Sequence, residues 1–197
     1  MLTTTEGGMT QHSLQGKNRG KRRRITKGLA GALGLVVFGR SYDIIGKEQA
    51  VTYATMTLWQ IVEALPRLIP FTKDKVETML AVRLMETDYT GNDVFHFYRS
   101  DPIRLSDGVT VSNIDLRIRR KGGHPGFMVL SIDKACVTLD QVRGNYADLQ
   151  ITETPRGSPD DETSYSTMLP WGKLSFGFAE RNPNCLVSIV FNPQKSQ

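Results

Sequence analysis

From Ile114 to Arg119 the chain alternates strictly, with Ile114, Leu116 and Ile118 apolar and Asp115, Arg117 and Arg119 charged. A period of two is the side-chain spacing of a β-strand, in which neighbours point to opposite faces; a helix would scatter those three apolar residues around its axis. One face of such a strand must be covered and the other wet. Antiparallel sheet meets that requirement, whereas parallel strands are covered on both sides and read as unbroken apolar runs. The pattern predicts a hairpin of Val109 to Arg119 and Phe127 to Ile132, joined by Lys121-Gly122-Gly123-His124-Pro125-Gly126.

Other segments extend the sheet. Val94 to Arg99 alternates as well, with Phe95 and Phe97 on one side and Val94, His96 and Tyr98 on the other. Thr90-Gly91-Asn92-Asp93 supplies a turn before it. The run from Val76 is therefore read as its extended partner, although Lys73 to Leu84 can also be drawn as a helix. Leu149 to Glu153 is a further strand, and Trp171 to Phe178 and Cys185 to Phe191 flank the turn Asn182-Pro183-Asn184.

Two helices are expected beside the sheet. Residues 47–65 place Val51, Ala54, Thr55, Leu58, Ile61, Val62 and Leu65 at a spacing near 3.6, and Pro66 and Pro70 end the run, with Trp59 and Tyr53 packing it on the domain. A short helix starts at Thr138, whose hydroxyl pairs with Gln141 in a capping box, and runs through Tyr146. Pro155 to Ser164, rich in Pro, Gly, Ser and acid, reads as a mobile surface loop. The expected fold is α+β: an antiparallel sheet of six to eight strands packed with one longer N-terminal helix and one short helix.

Charge is distributed unevenly. The pI of about 9.3 invites a nucleic-acid reading. Yet Lys17, Arg19, Lys21, Arg22, Arg23, Arg24 and Lys27 face only Glu6 within residues 1–39, an excess of six that exceeds the whole chain's +5. Residues 40–197 are thus near −1 and carry no overall field to attract phosphates. The basic end Arg117, Arg119, Arg120, Lys121 has no interleaved aromatic residue in the sequence, a weak signal for a nucleic-acid platform.

The cluster Lys21 to Arg24 is followed by the apolar run Gly28 to Gly39. Twelve helical residues span roughly 18 Å, short of the roughly 30 Å hydrocarbon core. The parts read as a cleavable export signal at 1–39, cut after Gly39, ahead of a single soluble domain at 40–197 with no membrane span. Arg22-Arg23-Arg24-Ile25-Thr26-Lys27 resembles a bacterial twin-arginine signal, with Thr26 where a second apolar residue is usual; the general secretory route stays open. Met9 can serve as the start in place of Met1. The alternative to export is a basic tail before a short buried helix.

Both cysteines, Cys136 and Cys185, lie outside the leader. In an oxidising compartment they would close a loop of about 50 residues and contribute roughly 4 kcal/mol. Two buried thiols are the alternative. Neither cysteine has a partner at metal-ligand spacing, and no metal or other cofactor is expected.

The chain has three histidines. His12 falls in the leader, leaving His96 on a strand and His124 in a turn. A phosphate-binding glycine loop, a nucleophile elbow, an H-E-x-x-H helix and an EF-hand loop are all absent from the sequence. The reading is a periplasmic, non-enzymatic module that binds another protein and not nucleic acid. Its contact surface would be the loop acids Asp160, Asp161 and Glu162, flanking Tyr165 and Trp171 as aromatic anchors. In type the combination is similar to bacterial periplasmic immunity proteins, which neutralise secreted toxins, and to envelope accessory proteins; no motif or residue carries over. The alternatives are an envelope assembly or structural component and a small periplasmic hydrolase using His96 or His124.

Overall fold

The computed structural model describes residues 52–53, 55–88 and 92–194, all within the unit Ile45–Gln197. The leader, residues 47–51 of the first expected helix and residues 90–91 of the first expected turn lie outside the described residues.

Ten strands form one sheet: β1 (Thr52–Tyr53), β2 (Leu84–Thr87), β3 (Phe95–Ser100), β4 (Ile103–Arg104), β5 (Thr110–Arg119), β6 (Phe127–Asp133), β7 (Gln150–Glu153), β8 (Glu162–Leu169), β9 (Gly172–Ala179) and β10 (Leu186–Pro193). The helices are α1 (Leu58–Ala64), α2 (Lys73–Leu80) and α3 (Leu139–Asn145). The order across the sheet is β4-β5-β6-β10-β9-β8-β7, with β3 also on β5, β2 on β3 and β1 on β4. Every pairing is antiparallel except β1 with β4. Because β6 occupies one edge of β5, β3 and β4 share the other as two pieces of one lane. Pro102 breaks the lane between them, since it has no N–H to give the ladder.

Cross-strand register builds the core. Tyr98, Leu116, Met128, Phe191, Leu174 and Thr167 stand opposite one another in one row. Ile114, Leu130, Ile189, Phe176 and Tyr165 form the next, which runs out to exposed Ile151 on β7. The helices cover this face: Leu58, Ile61, Val62, Val76, Leu80 and Val142 are buried against it. The rings of Trp59 and Tyr146 lie 6.4 and 5.2 Å from Phe176, and Phe71 meets Phe191 edge-on at 6.4 Å. Each fully buried Leu, Ile or Phe contributes about 1.5–3 kcal/mol.

Among the described residues the longer N-terminal helix is not found, and the strand count exceeds six to eight. Thr57, in extended conformation, caps α1 in a box with Gln60, and Asp107 accepts the Leu58 N–H at 2.8 Å, so the helix starts there. Residues 52–53 pair with β4 instead. Pro66, lacking a donor, turns the chain into a 3-10 segment at Leu65–Leu68. The extended reading of the run from Val76 is also corrected: through Leu80 the chain belongs to α2. Thr72 caps this helix, Val76 and Leu80 are buried one turn apart, and Ala81 closes it in the left-handed region. The β2–β3 and β5–β6 hairpins, the capping box of α3, and the β9–β10 pair match expectation. Cys136 and Cys185 form a disulfide, tying the segment before α3 to the start of β10. Among the described residues no helix is long and apolar enough to cross a membrane.

Candidate functional site: a polar cavity beside the disulfide

Over β8 to β10 and the adjoining part of β6, the sheet face opposite the helices carries mostly small and polar side chains. One row reads Asn113, Ser131, Ser188, Gly177 and Ser164; the next reads Asp115, Val129, Val190, Ser175 and Ser166. Hydroxyls satisfy one another along it: Thr152 Oγ1 to Ser166 Oγ at 2.7 Å, and Ser166 Oγ to Ser175 Oγ at 2.7 Å. A buried hydroxyl left unpaired would cost about 1–3 kcal/mol, which the chain of bonds avoids.

At the disulfide end this face opens into a cavity of about 740 Å³, whose wall includes Ser131, Lys134, Asp160, Glu162, Arg181 and Cys136. Glu162 is the first residue of β8 and reaches across β9 to β10, where it accepts the Ser188 hydroxyl at 2.5 Å. Gly177 permits the crossing: a Cβ there would stand 1.7 Å from Glu162 Oε2 and 2.3 Å from Ser188 Oγ. Arg181, just past β9, pairs with Asp160. Lys134, with φ +60°, turns the chain out of β6 along the rim.

The segment expected as a mobile loop is tied down and is shorter than expected, since β8 begins at Glu162. Asp161 accepts the backbone N–H groups of Arg156 at 2.9 Å and Ser158 at 3.0 Å, and these bonds hold its carboxyl below the usual range. Arg181 N–H donates to the Pro159 carbonyl and Glu180 N–H to the Asp161 carbonyl, both at 2.9 Å. Asp161 faces a second, smaller hollow of about 430 Å³ with Thr152, Glu153 and Arg156; Glu162 forms the partition between the two.

The structure brings Asp160 and Glu162 together but not the two aromatic residues. Tyr165 sits on β8, its ring edge-on to Phe178 at 5.7 Å, and Trp171 stacks on Phe191 at 6.0 Å. Both rings pack against the helix-covered core, on the face opposite Glu162. They are core-packing rings, not exposed loop anchors beside the acids. Sequence reading missed Ser188, Gly177, Lys134 and Arg181. The pairing of β8 with β9 and β9 with β10 assembles them, and no local motif marks them.

The histidines lie elsewhere. His96 Nδ1 is 2.6 Å from Glu86 Oε1, a bond that lowers the Glu86 carboxyl, and its ring stacks on Tyr98. His124 Nδ1 accepts the Gly126 N–H at 3.2 Å and borders a hollow of about 310 Å³ with Ile69, Pro70, Gly123 and Pro125. No carboxylate borders that hollow. Among the described residues no group of three or more His, Cys, Asp or Glu is placed to hold a metal ion. Comparison with known protein families, curated proteins and solved structures finds no match.

Proposed function

We propose that this chain is exported to the periplasm, loses its leader at Gly39, and acts there as a non-enzymatic module that binds another protein. Its most specific form is an inhibitor that neutralises a secreted toxin. The contact surface is the ledge of Asp160 and Glu162 over the cavity, with Asp161 facing the neighbouring hollow. The observation that carries this reading is the fixed geometry of the ledge: the backbone bonds of Asp161 and the Asp160–Arg181 pair hold acidic side chains in place before any partner arrives. Ordering paid in advance leaves more of the contact energy for binding, and exposed Asp160 beside half-buried Glu162 complements a basic partner surface. The Cys136–Cys185 disulfide accords with an oxidising compartment.

The test has two arms. Intact mass of the chain recovered from the periplasm of an expressing Gram-negative cell should equal residues 40–197 less two hydrogens; a full-length mass with two thiols overturns export. Envelope proteins captured by the chain should be lost with Asp160→Ala plus Glu162→Ala and kept with Tyr165→Phe. Capture that ignores the ledge variant moves the contact surface elsewhere.

A second reading, a component of envelope assembly, rests on β7. This strand ends the sheet, all four of its side chains are exposed, and Ile151 is 58% exposed. An edge of this kind can accept another strand. Self-association that grows with concentration and is abolished by Thr152→Pro would favour it.

A further inference from the structure

The basic end of β5 is not part of the ledge, and the sheet changes its meaning. Sequence neighbours of Arg117 and Arg119 are not aromatic, but strand neighbours are. Phe97 and Phe127 stand opposite Arg117 from β3 and β6, and Phe95 stands opposite Arg119. The Arg117 guanidinium lies 5.6 Å from the Phe97 ring centroid and 5.2 Å from that of Phe127, and Asp115 accepts its Nε and Nη2. Opposed residues share a face, so all of these lie on the side of the sheet away from the helices. There Phe95, Phe97 and Phe127 are half-buried, Arg119 is exposed, and Met85, opposite Arg99, is 48% exposed.

In this half of the face, Arg99, Arg117 and Arg119 outnumber Asp115, and the hairpin tip adds exposed Arg120 and Lys121. The charge selects an anionic occupant. The rings select its form. Arg117 already stacks on Phe97 and Phe127, using ring surfaces that a nucleic-acid base would need, so the surface suits an extended peptide better than stacked bases. Arg117 and Arg119 are two residues apart on one strand, about 6.5–7 Å, the spacing of alternate side chains in any extended peptide. Phe, Met and Arg are also the residue types enriched at protein interfaces.

The geometry points to a second binding surface, at Phe95, Phe97, Arg117, Arg119 and Phe127, for an extended acidic segment of a protein whose carboxylates recur at every second residue and so lie on one face. It stands independently of the acidic ledge, whose preferred partner has the opposite charge. The test is fluorescence anisotropy of the oxidised full chain with a labelled peptide of alternating glutamate and leucine. Saturable binding is expected, weakened by salt and weakened about tenfold by Arg119→Glu, since a like charge then faces the carboxylate at that position. Arg119→Lys should keep most of the binding, and Asp160→Ala should leave it unchanged. Arg119 is exposed, so its replacement leaves the core intact. Absence of peptide binding, or equal binding by Arg119→Glu, overturns the assignment. So does tighter binding of labelled oligothymidylate, or of phosphatidylglycerol vesicles, that Arg119→Glu removes.

Discussion

Glu162, Ser188 and Gly177 act as one unit. With a Cβ at position 177 the Glu162 carboxylate can no longer cross β9. Because its far end is flexible, it should swing to solvent and leave the backbone unstrained. The cost of Gly177→Ala is then the lost charged hydrogen bond, about 1.5–3 kcal/mol. In urea denaturation the double variant with Glu162→Ala should be little worse than either single one. Additive losses would mean that Gly177 is needed by the backbone itself. Asp161 makes a pH prediction. Its folded-state pKa is depressed by the Ser158 and Arg156 amides, so its contribution is complete above the unfolded value and disappears as pH falls through the folded one. The gap in melting temperature between wild type and Asp161→Ala should be widest near neutrality and narrow as pH falls below the ordinary aspartate range. A gap that persists at low pH would contradict the backbone-amide cause.

Helix ends illustrate which local signals survive folding. Thr138 and Gln141 form the reciprocal box that their spacing implies, with bonds of 3.3 and 2.7 Å, and Thr138→Ala should lower stability by about 1 kcal/mol in chemical denaturation. The alternation of β5 was equally legible, because a strand with one buried face cannot slip by a residue without turning its core outward. The N-terminal helix was misjudged for a related reason. Leu58, Ile61, Val62 and Leu65 do have helical spacing and are buried, but extending the pattern back to Val51 ignored Thr57 as a cap. The run from Val76 failed because Val76 and Leu80 suit a strand as well as a helix, and the deciding Thr72 cap precedes them. The cavity was legible only at Asp160 and Glu162. Ser131, Ser188 and Arg181 join them through strand pairing, which a linear pattern does not reveal.

At the scale of the molecule, the sheet is two meanders, β2 to β6 and β7 to β10, and each strand within a meander pairs with a near neighbour in sequence. Among the described residues only β6 with β10 joins them, across more than 50 residues. Cys136 lies just beyond β6 and Cys185 just before β10, so the bond sits at one end of that join. Replacing both cysteines with alanine should cost about 2–4 kcal/mol in denaturant midpoint analysis. The position of the bond also bears on the order of events. While the thiols are apart, the slowest search is the encounter of β6 with β10; once they are joined, the same encounter is a local one. Refolding followed by stopped-flow fluorescence should therefore be markedly faster for the oxidised chain than for the alanine variant, with unfolding rates much closer together. A disulfide in this position acts on the route to the native sheet, and a cell that forms it early shortens the time during which two half-sheets stand with unpaired edges.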